Sequence, residues 1–369
     1  MNIQAAVLER PKERLRVEEI TVDPPGPGEV LVRVPFSGVC HSDYHVLLGE
    51  WTMPTPLVLG HEGAGVVEEV GPGVETLSAG DHVILSWTPT CRRCRYCVSG
   101  RPQLCELAVT TAYRCLLPSG RSPLRRRDAT VYPFLAVGSF AQAAVVSESA
   151  AIPIRDDMPL DKAALIGCGV VTGVGAAINT AHVAPGSQVV VIGCGGVGLA
   201  IVQGARLAGA RRVVAVDLHD DALARARRLG ATDVINSSAS DPRAEVSKLL
   251  GAEGGPDYVF EAIGLAATIE LAYEITARGG TTVVVGQVAE NETIRIDPYR
   301  LSEDEMVLRG SNYGSARISI DFPLMVDLYL SGRLDLDELV SKVRPLKEVN
   351  AAFEDMAGGG VARTVLSLQ

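Results

Sequence analysis

Apolar and polar residues follow two different patterns along this chain, and the change between them divides it. In the first third, short alternating runs lie between Gly and Pro turns. The run 29–34 follows Pro24-Pro25-Gly26-Pro27-Gly28, 65–70 precedes Gly71-Pro72-Gly73, and 82–85 follows Ala79-Gly80-Asp81. Alternation with period two, bounded by turn residues, is the signature of half-buried strands, so an irregular, mostly β domain is predicted there. After Pro159 the texture changes. An alanine-rich helical stretch starts at Asp161, and nearly all-apolar runs at 188–192, 212–216, 258–261 and 281–285 then alternate with helical segments. Strands lacking a polar face are covered on both sides, which predicts a doubly wound α/β domain built on a parallel sheet. Beyond Gly310 the pattern loosens, and 340–368 reads as strands and one helix that return to the first domain. The expected division is 1–169 with 313–369 for the mostly β domain and 170–312 for the α/β domain.

Composition narrows the function classes. A chain of 369 residues fits two cores, because single cores stop growing at about 250–300 residues. Hydrophobic residues make up 47% of it, yet they form no run of 18 and no basic start followed by an apolar segment, so a cytoplasmic protein without a membrane partner is expected. A formal net charge of −10 disfavours a surface that tracks phosphates, and the one basic run, Arg125 to Arg127, is short. Nucleic acid is therefore not an expected partner. Eight cysteines in such a chain point to reduced thiols and metal ligands.

Those cysteines carry the chemistry. Cys91, Cys94, Cys97 and Cys105 offer four thiolates at short spacing, the ligand set of a closed structural zinc site. A redox pair would leave two of them unexplained. Cys40, followed by His41-Ser42-Asp43, and His61, followed by Glu62, stand apart with polar neighbours able to handle a proton, as a catalytic zinc site with an open position requires. Further along, the strand 188–192 runs into Gly193-Cys194-Gly195-Gly196-Val197-Gly198 and then a helical stretch. Gly193 permits the tight turn, Gly195 lets the backbone approach a pyrophosphate, and Gly198 lets helix and strand pack closely. Asp217 ends the next apolar strand, where a carboxylate binds the adenosine ribose and repels a 2′-phosphate, which favours NAD over NADP. Cys194 within the loop is read as a small packing residue.

Together these motifs resemble the zinc-containing medium-chain alcohol dehydrogenases, from the first strands to Arg363 near the C-terminus. The resemblance implies a GroES-like catalytic domain, a Rossmann domain, NAD and two zinc ions per chain. It makes Cys168, in Gly167-Cys168-Gly169, the third ligand of a catalytic zinc held with Cys40 and His61. Two thiolates and a neutral imidazole cancel the charge of the metal and so favour an ionised alcohol. Ser42 and His45 become a proton route, Asp43 the carboxylate that orients His61, and Glu62 a carboxylate behind the metal. His41 and Arg363 would face the pyrophosphate, with Thr172 and Val197 beside the nicotinamide. Cys91, Cys94, Cys97 and Cys105 become the family's structural lobe, while Cys115 has no assigned role.

The same resemblance sets Trp51, Trp87, Phe134 and Leu135 around the alcohol. An apolar, partly aromatic pocket should favour medium-chain or aryl primary alcohols, since each buried CH2 adds about 0.8 kcal/mol. The segment 106–132, with Arg121, Arg125, Arg126 and Arg127, looks like a loop that borders the pocket in larger, dimeric members, so a homodimer is expected. Two other readings compete. A thiol-adduct formaldehyde dehydrogenase, dependent on mycothiol or glutathione, would use the arginines to bind its thiol's carboxylate. A non-catalytic NAD-binding structural or regulatory protein would have no need of Cys40, Ser42, His45, His61 and Cys168 together.

Overall fold

The computed structural model describes residues 1–251, 254–359 and 361–369. The chain forms two compact units, one of Met1–Cys168, Ala316–Ala357 and Arg363–Gln369, the other of Gly169–Ser315 and Gly358–Ala362. Residues 313–315 thus lie with the α/β unit, against the expected boundary. Their backbone is pinned there: a side chain on Gly314 would strike the Val171 carbonyl at 2.2 Å, and Thr180 Oγ1 bonds Ser315 Oγ at 2.8 Å. The segment 358–362 also belongs to it, with Gly359 lying against the His219 ring.

The first unit is built on two β systems. A closed barrel joins Asn2–Leu8, Arg16–Val22, Leu124–Arg126, Ala129–Pro133 and Leu57–Val58. A seven-stranded sheet runs Ala151–Pro153, His82–Leu85, Glu62–Val70, Glu29–Gly38, Arg363–Ser367 and Val340–Pro345, with Ala143–Ser147 also on Glu29–Gly38. The strand expected at 29–34 is therefore longer. On one side it pairs along its length with Glu62–Val70, with register breaks at Leu31/Val32 and Arg33/Phe36, and on the other it passes from Ala143–Ser147 to Arg363–Ser367. The final strand pairs with its far end, Val365 opposite Gly38, so the C-terminal segment completes the sheet that carries Glu62.

The second unit is an all-parallel six-stranded sheet in the order Asp233–Asn236, Arg212–Asp217, Gln188–Ile192, Tyr258–Glu261, Thr281–Val284, Val307–Gly310. Every residue of Gln188–Ile192 is buried, which accounts for the apolar run from Val189 to Ile192. Val190, Val214 and Val259 form a core with Leu250 and Ala272 from the covering helices. The helical run 160–180 passes as membrane-spanning by length and composition alone, but 83% of its most apolar window is buried inside the protein.

Candidate active site

Cys40, His61, Glu62 and Cys168 converge in the first unit, one ligand atom from each lying within 4.8 Å of all the others. Cys40 precedes the helix His41–Leu48, and His61 and Glu62 sit where the strand Glu62–Val70 starts. Cys168 comes from a wide, π-type helical turn, Ile166–Val170, a departure from the i→i+4 ladder that often marks functional positions. Asp43 ties two of these pieces together. Its carboxylate accepts Cys40 N at 3.1 Å and Gly60 N at 2.8 Å, and its Oδ1 lies 3.4 Å from His61 Nδ1. Occupied on that side, the ring presents Nε2 to the cluster, and this buried nitrogen has no hydrogen-bond partner among the described residues. Two thiols, an orphaned imidazole nitrogen and a carboxylate at this spacing fit zinc.

The electrostatics favour a cation. Hydrogen bonding from Cys168 pulls the Cys40 thiol well below its ordinary range and pushes Cys168 up. Burial opposes charging of His61, but Asp43 and Cys40 outweigh it and raise the imidazole. Glu62 is pushed up to about 8 by burial although Arg363 counteracts. Arg363 Nη1 lies 3.2 Å from Glu62 Oε1 and donates to Val39 O at 3.2 Å. Arg363, which the resemblance sets at the pyrophosphate, is buried and anchored behind the ligands, because the strand that carries it pairs beside Gly38. Phe134, fully buried, sets its ring edge-on to His61 at 5.5 Å between centroids.

Two glycines that the sequence reading passed over hold this arrangement. Gly60 has φ of +89°, and a Cβ there would meet the Phe140 ring at 2.4 Å. Gly38, opposite Glu62 in the ladder, leaves the space its carboxylate occupies, since a Cβ would lie 2.1 Å from Oε2. A glycine just before a ligand histidine was the only available signal for the first. The second depends on strand register and had none.

The lobe is a different construction. Cys91, Cys94, Cys97 and Cys105 bring their sulfurs within 4.8 Å of one another. The Cys91 and Cys97 sulfurs are 4.0 Å apart, close to the edge of about 3.8 Å of a tetrahedron with Zn–S near 2.3 Å. Backbone N–H groups point at the sulfurs, Cys91 N to Cys105 and Cys94 N to Cys91, each at 3.3 Å. N–H groups of Cys97 and Glu106 bring the Cys94 thiol down to about 6, and burial pushes Cys97 up to about 12. Four thiolates leave this site closed.

In the second unit, Gly195 caps the helix Gly196–Leu207 and has nothing within 4 Å of where a Cβ would stand, so the backbone is open to an incoming group. A Cβ on Gly198 would collide with the Gly193 carbonyl at 1.7 Å, and Gly193 itself has φ of +94°. The helix N-terminus and this open cradle fit a pyrophosphate. Asp217 accepts Cys194 N at 2.7 Å and His219 N at 2.9 Å, which fixes its carboxylate beside the loop with lone pairs left for a ribose diol. Cys194 is buried, as a packing residue should be. The helix Val171–Gly175, which carries Thr172, packs on the loop's helix so tightly that a Cβ on Gly173 would meet Val197 O at 2.4 Å.

Residues 26–156 match the family model for the alcohol dehydrogenase GroES-like domain, and 196–331 that for zinc-binding dehydrogenases. The chain is 39% identical to the probable S-(hydroxymethyl)glutathione dehydrogenase 1 of Schizosaccharomyces pombe, over 99% of its own length and 97% of the relative's. The chain belongs to the zinc-containing medium-chain alcohol dehydrogenase family. It is an NAD-dependent zinc dehydrogenase of this kind, with the GroES-like and Rossmann domains of the family. A second relative, the S-(hydroxymethyl)glutathione dehydrogenase of Paracoccus denitrificans, is 38% identical, with 99% of this chain and 100% of that one covered. Among solved structures, benzyl alcohol dehydrogenase from Acinetobacter calcoaceticus superposes with a TM-score of 0.94 at 32% identity, covering 100% of both chains.

Other expected residues fall in two groups. Ser42 and His45 lie on the helix that Cys40 opens, with Ser42 and His45 half-buried and His41 exposed. Trp51, Trp87, Phe134 and Leu135 belong to or pack against the core of the first unit. The segment 106–132 is not a free loop. It holds the helix Glu106–Arg114 and one strand and most of another of the barrel. Arg121 pairs with Glu29 and Asp23, Arg125 with Asp23 at 3.0 Å, and Arg126 with Glu9 and, at 2.9 Å, Glu18. Arg127 is exposed. Cys115 is buried beside Met53, its thiol pushed up to about 12.

Proposed function

We propose that this dehydrogenase interconverts medium-chain or aryl primary alcohols and their aldehydes, without a thiol cofactor. The observation that carries the reading is the pairing of Arg121, Arg125 and Arg126 with carboxylates of their own unit, which withdraws them from recognition of an anionic thiol. Apolar surroundings at His61, given by Phe134, favour the same answer. Cys40, His61 and Cys168 would hold the catalytic zinc. Bound zinc supplies Lewis acidity for ionising the alcohol, and bound NAD accepts the hydride. Asp43 fixes the His61 tautomer, Phe134 excludes water, and Ser42 and His45 take the proton away from the site.

A thiol-adduct formaldehyde dehydrogenase is the second reading, favoured by the names of the relatives at 39% and 38% identity. Rates of NADH formation from ethanol, hexanol, benzyl alcohol and formaldehyde, with and without glutathione or mycothiol, separate the two. The first reading expects kcat/KM to climb from ethanol to hexanol and benzyl alcohol with no thiol present. Activity confined to formaldehyde plus thiol overturns it. A homodimer and a cytoplasmic location belong to the same proposal. The edge strand Val307–Gly310, which pairs on one side with Thr281–Val284, supports self-association, and light scattering of the purified protein tests it.

A further inference from the structure

The turn that ends the helix of Cys40 builds an unassigned acid against His45. Gly49 closes that helix in the left-handed conformation, with φ of +73°. The chain then folds back, Glu50 N donating to His45 O at 2.9 Å. This return sets two side chains on the imidazole. Glu50 Oε2 lies 2.5 Å from His45 Nδ1, and the Trp51 ring stacks on the imidazole at 4.8 Å with an interplanar angle of 15°. His45 has 17% of its side chain exposed and Glu50 39%, so the carboxylate is the more open of the two to water.

We propose that Glu50 is a positioning residue for proton release, acting through His45, an inference that rests on the proton route proposed above. A carboxylate on Nδ1 fixes the tautomer and leaves Nε2 as the basic nitrogen, while Trp51 prevents the ring from tilting. When Nε2 takes up a proton, the Nδ1 proton passes to the Glu50 carboxylate, and the resulting carboxyl loses it to water. The carboxylate is then ionised again and the ring neutral as the Nε2–H tautomer, and loss of the Nε2 proton to water with uptake of one at Nδ1 restores the starting form for the next turnover.

The test uses the zinc-replete enzyme with benzyl alcohol or hexanol. Glu50→Gln, which keeps an acceptor for Nδ1–H but loses the charge, is expected to lower kcat by about five- to tenfold with KM little changed, within the range of acid–base contributions. Glu50→Asp should restore part of the loss, and raising buffer concentration at fixed pH and ionic strength should restore part of it in Glu50→Gln. In a His45→Ala background the Glu50→Gln change should have less than about a twofold effect, because its partner is gone. Unchanged kcat in Glu50→Gln beside a slow His45→Ala enzyme overturns the role of Glu50 and leaves the route intact. Full activity in His45→Ala overturns the route itself. Losses that multiply in the double variant also overturn the proposal, since Glu50 would then act elsewhere.

Discussion

The lobe draws its four sulfurs from the single stretch 91–105, whereas the buried cluster takes Cys40 from a helix start, His61 and Glu62 from a strand start and Cys168 from a wide helical turn. In the lobe, backbone N–H groups of the same stretch point at the sulfurs, and most of the ligands are half-exposed. The buried cluster is surrounded by side chains from elsewhere: Asp43 bridges two ligand segments, Arg363 backs Glu62, and Gly38 and Gly60 clear the space. A site closed on local thiolates needs only a short loop. A site that keeps a position for substrate needs mixed ligands, and their orientation has to be imposed by the fold. The lobe should therefore fail by itself, and the buried cluster should fail with its surroundings.

The strongest challenge to this contrast is His61→Ala. It removes the orphaned nitrogen, so we expect zinc content to fall from about two per chain to about one and alcohol oxidation to drop by roughly 10³-fold. Full zinc with full turnover would erase the contrast. Cys94→Ser should do the reverse, losing the lobe metal while the buried zinc stays. We expect its melting temperature to fall by about 5–10 °C, which calorimetry with elemental analysis would read.

Gly60→Ala sharpens the claim that the surroundings matter. Added strain at a positive φ and a clash with Phe140 should cost about 2–4 kcal/mol in denaturant unfolding, and the buried zinc should weaken while the lobe zinc does not. Equal losses from both sites would contradict it. The smallest effect is expected outside both clusters, at Arg121→Leu. Burial works against the Glu29 carboxylate, but Arg121, Gly26 N and Ser119 hold its pKa below the ordinary value. Its contribution to stability is accordingly present above the unfolded value of about 4.3 and lost as pH falls through the folded one. Arg121→Leu should cost about 1–3 kcal/mol near neutral pH, below a fully buried pair because Arg121 is 32% exposed. The difference from the parent should shrink on acidification, with alcohol kinetics unaltered.

Legibility in the sequence follows the same divide. The lobe cysteines and the glycine turn at 193–198 were readable because spacing along the chain is also spacing in space. Cys40 and His61 were readable as motifs. Cys168 was reached only by resemblance, since its π-type turn leaves no periodic mark. The placement of Arg363 on Glu62 could not be seen, because it depends on a ladder joining residues 38 and 365. Arg121, Arg125 and Arg126 looked like part of an anion site because their partners, Glu9, Glu18, Asp23 and Glu29, lie about a hundred residues away along the chain. Glu50 was missed because an acid after a helix-ending glycine looks like ordinary solvated surface.

The last strand gives assembly of the protein an order in time. All four lobe cysteines have been synthesised once the chain passes Cys105, so that site can take up its metal while the ribosome is still at work. The buried cluster lacks the cation behind Glu62 until Arg363 has been added and Arg363–Ser367 has zipped onto Glu29–Gly38. The two metal centres are thereby completed at different points along the chain, the lobe at Cys105 and the surroundings of the buried cluster at Arg363.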